Sequence, residues 1–318
     1  MISFSYRRRL LGALCLLSVA ITVPGCGGGP PAFDGPPIRV LATTTMVADL
    51  VERVGGERVR VDVLMGPGVD PHRYQPTATD LQRLRGAHLV FINGLHLEGK
   101  MADLFAKSGG RMRAVGVAEA LDHAKLRAAD ADGGEHDPHV WFDVKLWAGC
   151  VPPVRDALAA LDPAGKSTYE ANAAAYLKEL DALDAEVRAE VVKVPASKRK
   201  LVTSHDAFGY FGRAYGFEVK GLQGVSTASE TGSRDRDELA RYLGSARVPA
   251  VFTETSVPDE GLKAVLETCR LDYKHDVKLI GGDDALYSDA LGAPGTPTGT
   301  YAGMVRHNVK VIVSALRE

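Results

Sequence analysis

From Asp162-Pro163 to about Val192, this chain runs with no helix breaker after Gly165, and strand-like and helix-like stretches alternate on both sides of the run. Asp162 and Pro163 supply an N-cap and a first-turn proline. Tyr169, Ala173, Tyr176, Leu180, Leu183, Val187 and Val191 then recur at helical spacing, so one face is apolar throughout. Roughly thirty residues at 1.5 Å each predict a helix of about 45 Å. An ordinary surface helix has the same pattern. The central position of this one favours a strut joining two lobes.

On the amino side, Ile38–Thr45, Val59–Met65, His88–Asn93 and Arg113–Val117 read as strands, and Met46–Val54 and a segment from the N-cap Thr77 to about Arg85 as helices. On the carboxyl side, Leu201–Ser204, Glu218–Leu222, Ala250–Glu254 and Val277–Ile280 are strand-like. Ala207–Tyr215, Arg234–Leu243, Pro258–Cys269 and Tyr301–Leu316 are helix-like. Strand–helix alternation is the sequence form of a parallel sheet covered by helices. The expected fold class is α/β: an N-terminal lobe over 37–157, a connecting helix over 158–194 and a C-terminal lobe over 195–318. No segment repeats closely enough to argue internal duplication.

The first residues do not belong to that fold. Arg7-Arg8-Arg9 followed by the apolar Leu10–Val23 reads as a signal peptide over 1–25, too short for a comfortable membrane span. Val23-Pro24-Gly25-Cys26 has the form of a lipobox, with Cys26 as the lipidated residue, although Pro24 is unusual there. Residues 26–36, rich in Gly and Pro, read as a flexible tether. The alternative is a signal peptide cleaved without lipidation. Without residues 1–25 the chain has 35 basic and 40 acidic residues, a net charge of −5, which gives no electrostatic case for nucleic acid. Cys150 and Cys269 lie far apart in the chain and in no zinc-type spacing, and are expected to be buried, unpaired thiols.

Four compact segments carry metal-binding chemistry: Asp70-Pro71-His72-Arg73-Tyr74, Asp137-Pro138-His139-Val140-Trp141, Thr203-Ser204-His205-Asp206 and Leu286-Tyr287-Ser288-Asp289. Three imidazoles and a carboxylate make a full coordination set for a divalent first-row metal. His72, His205 and Asp289 each follow a strand, and ligands of parallel sheets gather outside the carboxyl ends of strands. Each lobe would supply two donors. Taken singly, His72 reads equally well as a surface histidine in a turn, and Asp289 reads better as a helix cap or loop carboxylate. His136, His96, Asp283, Asp284 and Glu230 are rival donors, and the loop with His123, Asp130, Asp132 and Glu135 offers loose capture. His275 and His307 read as surface or packing residues. Glu254, Asp206 and His96 are candidates to stand behind the donors, although Asp206 reads better as cap of the helix after it.

With these motifs in this order, together with Asn93–Met101, Gly221–Ser226 and Asp289–Asn308, the chain resembles the TroA-like metal-binding lipoproteins, the solute-binding subunits of ABC importers for zinc and manganese. The resemblance spans nearly the whole mature chain. It implies two α/β lobes bridged by one long helix, with a single Zn²⁺ or Mn²⁺ as transported ligand held by His72, His139, His205 and Asp289. It also implies an ABC permease as partner. The expected protein is a monomer, not an enzyme. It is exported and lipid-anchored at the cell envelope, facing the periplasm or the exterior. Manganese-dedicated relatives tend to carry Glu in place of His205, and zinc-dedicated ones a long His-rich loop that this chain lacks. A metal-stabilised surface adhesin is the alternative. A metallohydrolase is the weaker one, since four donors leave no open position and no HExxH motif is present.

Overall fold

The computed structural model describes Met1 and residues 30–99, 101, 112–129, 135–229 and 231–317. The signal peptide beyond Met1, Cys26 and the tether as far as residue 29 lie outside the described residues, as do Asp130, Asp132 and Glu230.

In the N-terminal lobe, β1 (Ile38–Ala42), α1 (Thr45–Gly55), β2 (Val59–Val63), α2 (Ala78–Gly86), β3 (Leu89–Ile92) and β4 (Ala114–Gly116) follow in sequence. The strands pair in the order β2-β1-β3-β4, every pair parallel. Thr77 and Asp80 cap α2 reciprocally, side chain to backbone in both directions. Three helices then run consecutively: α3 (Val144–Ala148), α4 (Val151–Leu161) and α5 (Lys166–Val191). The C-terminal lobe contains β5 (Lys200–His205), α6 (Gly209–Tyr215), β6 (Glu218–Gln223), α7 (Ser233–Ser245), β7 (Ala250–Phe252), α8 (Glu260–Tyr273) and β8 (Lys278–Ile280), closed by α9 (Tyr301–Leu316). Its strands pair in the order β6-β5-β7-β8, again all parallel.

The two sheets thus share one topology. In each, strand order reverses beside the first strand, between β1 and β3 and between β5 and β7. A parallel sheet opens a crevice at such a reversal, at the carboxyl ends.

The α5 helix has 26 residues, about 39 Å. All seven positions of its expected apolar face are buried. One continuous apolar core runs from Ile38 and Leu50 past Tyr169 and Leu183 to Leu201, Phe252 and Ile312, so the lobes are packed together rather than only tethered. The start of the strut differs from expectation. Residues 158–161 finish α4, Pro163–Gly165 make one 3₁₀ turn, and the α-helix begins at Lys166 with no side-chain cap. The Asp162 carboxylate is engaged instead by Arg58 (2.7 Å) and by the Tyr169 hydroxyl (2.7 Å). Helices α3 and α4 were not anticipated. Pro152 and Pro153 both lie in the first turn of α4, where no N–H is needed.

Cys150 and Cys269 are buried free thiols. Among the described residues no helix is long and apolar enough to cross a membrane.

Candidate metal centre

His205 is the last residue of β5, the strand beside the reversal in its sheet. Asp289 arrives by a detour. After β8 the chain leaves the sheet through a 3₁₀ turn at Gly282–Asp284 and rejoins it at Leu286, whose N–H donates to Thr253 O (2.9 Å) and whose carbonyl accepts from Thr255 N (2.9 Å). Asn308 on α9 then grips Tyr287 from both sides of its peptide, at 3.0 and 2.8 Å. Trp141 Nε1 donates to Ser288 O at 3.0 Å, so Asp289 is delivered on a backbone fixed at three successive residues.

The two Asp-Pro-His segments form the same local turn. Asp70 Oδ1 accepts from His72 N (2.9 Å), and Asp137 Oδ1 from His139 N (3.0 Å), the turn an aspartate makes with the amide two residues on. Across the lobe boundary, Tyr210 donates to Asp137 O (2.8 Å) and Phe142 stacks on Phe208 with centroids 4.2 Å apart.

These elements bring His72, His139, His205 and Asp289 together, with one donor atom of each lying within 4.8 Å of all the others. Three of the four are at most 1 % exposed and His72 is 4 %. His139 Nε2 lies 3.2 Å from His72 Nε2 and 3.3 Å from His205 Nε2. Asp289 presents Oδ1 to His139 Nε2 and Oδ2 to His205 Nε2, each at 3.4 Å. A tetrahedral zinc shell with bonds of about 2.0–2.1 Å has donor-to-donor edges of about 3.3–3.4 Å. The spacing therefore fits a small cation at the centre. With both Asp289 oxygens facing inward, a fifth bond is open to a metal that prefers higher coordination.

The far side of two imidazoles is fixed by carboxylates. His139 Nδ1 is 2.8 Å from Asp137 Oδ1, and His205 Nδ1 is 2.5 Å from Glu254 Oε2. Commitment of Nδ1 leaves Nε2 to hold either a proton or a metal, and raises its basicity. The electrostatics follow. Burial works against charge on His139, but hydrogen bonds with Asp137 and Asp289 outweigh it and push its pKa up to about 8. For His205 too, burial is overcome, here by the negative charges of Glu254 and Asp289, which raise its pKa well above the ordinary value. Burial likewise opposes ionisation of Asp289, yet His205 and His139 hold its carboxyl well below the usual range. His72 has no such support: burial, reinforced by the two neighbouring imidazoles and opposed by Asp289, lowers it to about 3. The centre is a cage whose anionic surroundings are built for positive charge.

Glu254, expected behind a donor, is buried and also accepts from His205 N at 2.8 Å. Two other expectations are corrected. His96 is exposed, carried outward by a left-handed backbone (φ 63°). Asp206 does not cap α6, which begins at Gly209 with Phe208 in the cap position. It lines a surface cavity along β6 with Lys220 and Gln223. Of the rivals, Asp283 and Asp284 are exposed, and His136 stacks edge-on against His123 with centroids 5.0 Å apart, outside the cluster. Sequence reasoning missed Asp137 as the carboxylate behind His139. Its one signal was the position two residues before a histidine.

Residues 40–315 match the family described as ZnuA, zinc-uptake complex component A, periplasmic. The chain is 46% identical over 290 residues to the zinc-binding protein TroA of Treponema pallidum (strain Nichols), covering 91% of this chain and 92% of that one. It is 43% identical over 311 residues to the manganese-binding lipoprotein MntA of Bacillus subtilis (strain 168), covering 98% and 100%. The solved structure of periplasmic zinc-binding protein TroA from Treponema pallidum superimposes with a TM-score of 0.84 over 88% of this chain and 99% of that one.

Proposed function

The chain belongs to the ZnuA family of periplasmic metal-uptake components, and on that premise we propose that it captures Zn²⁺ or Mn²⁺ outside the cytoplasmic membrane and delivers it to an ABC-type permease. The observation that carries this reading is the buried cage. Three imidazole Nε2 atoms and a carboxylate converge on one point, with His139 and His205 making contacts of 3.2–3.4 Å to the others, and the flanking Asp137 and Glu254 favour positive charge there. The ligands are His72, His139, His205 and Asp289. The lobes are residues 37–157 and 195–318. Each gives two ligands, so the cargo is held at their junction.

Capture is reversible. Neutral imidazoles and the carboxylate replace the water around the ion, and docking on the permease loosens them. The shared core and single helix favour a small rocking of the lobes over a wide hinge swing. Four donors fill the shell, which leaves no site for an activated water, and the protein is not an enzyme. It acts as a monomer, exported and held at the envelope by lipid on Cys26. Relatives named as manganese-binding lipoproteins support this placement.

Elemental analysis of protein purified from its native envelope tests the reading. One zinc or manganese per chain is expected. A deletion strain should lose metal content under limitation. Unchanged content would favour the adhesin reading, in which the metal only rigidifies the fold.

A further inference from the structure

The metal cage uses the carboxyl ends of the strands. At the opposite pole, Arg39 and Arg60 are register partners on β1 and β2, and both are exposed. Like charges set directly across neighbouring strands repel. Among the described residues neither arginine has a carboxylate at ion-pair distance. The nearest candidate, Asp62, is two residues beyond Arg60 but is gripped by Arg83 through Nε (3.0 Å) and Nη2 (2.7 Å). Arg39 Nε donates to Gly86 O (3.2 Å), which orients its stem and leaves the rest of the guanidinium open. Arg39, Arg60, Arg83 and Asp62 line a groove of about 430 Å³. Exposed Arg85 adjoins Gly86, and exposed Arg113 leads into β4. Asp34 and Glu57 offset part of this charge, but the pole stays positive on a chain whose net charge is negative.

The chain also leaves the fold here. Phe33 packs edge-on against His88, centroids 5.6 Å apart, and His88 Nδ1 accepts from Arg39 N at 3.0 Å. Burial holds His88 below its ordinary pKa, with Arg39 and Arg113 adding to the effect and Asp34 opposing it, which places these groups around one ring. From Cys26 to Phe33 is a step of seven residues, a reach of about 23 Å when extended. A lipid on Cys26 therefore keeps this pole close to the bilayer whatever the tether's conformation.

We propose that the Arg39–Arg60 face rests on the membrane, its guanidinium groups taking the phosphates of anionic phospholipid headgroups. This builds on the reading of Cys26 as a lipid anchor. Basic groups near an anionic leaflet gain from its surface potential within about a Debye length, and the short tether supplies the local concentration. The consequence is an orientation during collection. With the amino ends of the strands against the bilayer, the metal cleft at their carboxyl ends faces the medium from which ions are collected, and delivery requires this face to lift off so that the cleft can turn to the permease.

The test uses the full chain purified from its envelope and reconstituted on vesicles, either neutral phosphatidylcholine or the same lipid with roughly one-third phosphatidylglycerol. A fluorophore on Ala114→Cys, beside Arg113, reports the distance to a headgroup-attached quencher. The internal cysteines are buried and stay unlabelled. Quenching several-fold stronger on anionic vesicles is expected, with the difference lost at high salt and in R39E/R60E. The milder R60Q should lose part of it, and every variant should still bind one metal ion. Equal quenching on both vesicle types, or a difference that R39E/R60E and R60Q leave intact, overturns the proposal. Flotation separates the two ideas. A chain that floats only with anionic vesicles, and loses this in R39E/R60E, refutes the lipid anchor and upholds the arginine face. A chain that floats with neither refutes both.

Discussion

Glu254 grips His205 at two points: Oε1 accepts the backbone N–H of His205 at 2.8 Å, and Oε2 lies 2.5 Å from its Nδ1. One carboxylate thus sets both where the strand end lies and which ring nitrogen faces the cage. A glutamine has one oxygen for these two tasks. Its amide NH₂ must either face the His205 N–H or meet Nδ1, where it would draw the lone pair and leave the proton on Nε2, in the metal's place. Glu254→Gln should therefore weaken metal binding by roughly 10–100-fold while the fold is kept. Competition against a chelator of known affinity measures it, and unchanged affinity would remove Glu254 from the site.

Protons and metal compete for the same nitrogens. In the metal-free protein the pKa of His139 is pushed up to about 8 and that of His205 well above its ordinary value, whereas burial lowers that of His72 to about 3. At neutral pH, binding one divalent ion should expel about two protons, and affinity should climb as pH rises towards about 8. Calorimetry in buffers of differing ionisation enthalpy counts them. A count near zero would mean that the imidazoles are already bare. The metal-free fold should respond in the opposite sense. Groups with raised pKa values stabilise it fully below the unfolded histidine value of about 6.5, and that contribution fades as pH rises through about 8. The metal-free Tm should fall across this window while the metal-loaded Tm holds.

The cluster of His72, His139, His205 and Asp289 was legible because each stands in a compact local motif, and two of the motifs repeat Asp-Pro-His. The supports behind them were less so. Asp70 and Asp137 make the same turn, yet Asp137 reaches back to its own histidine ring, whereas Asp70 sends its second oxygen to Thr227 in the other lobe. That choice is tertiary and leaves no mark in either motif. The strand-end argument that found Glu254 also nominated His96 and Asp206. It could not foresee the left-handed backbone that turns His96 outward. Alternation along an extended strand did warn that Asp206 need not stand behind His205, and at the end of β5 the two face opposite ways, His205 to the cage and Asp206 to the cavity beside β6. The shared strand order of the two sheets was invisible because it resides in pairing, not in sequence similarity.

The Asp70–Thr227 hydrogen bond, 2.5 Å between Oδ2 and Oγ1, ties the loop that carries His72 to the opposite lobe. The segments with His139 and Asp289 are instead cross-linked through Trp141, Tyr210 and the shared core. Thr227→Val removes the tie without touching a donor. Loss of one such bond, worth about 1 kcal/mol, should speed metal release about fivefold, and Thr227→Ser should restore it. Stopped-flow transfer to a chelator gives the rate. If valine and threonine release alike, the loop is held by other contacts.

Asp162 bears on the fold rather than the site. It is buried at the foot of the strut, where its carboxylate meets Arg58 at 2.7 Å and the Tyr169 hydroxyl at 2.7 Å. Arg58 is partly solvated and can turn to water, but Tyr169 is fully buried. Asp162→Ala leaves that hydroxyl without its acceptor, and should cost about 2–4 kcal/mol. Asp162→Asn, which keeps an acceptor, should cost less. The metal cage lies at the other end of the sheets, so both variants should bind metal with wild-type affinity once folded. Denaturant unfolding of the metal-free protein, paired with the same chelator competition, separates the two effects. A drop in metal affinity without a drop in stability would mean that the foot of α5 communicates with the cleft, and the strut would then have to be treated as a moving part.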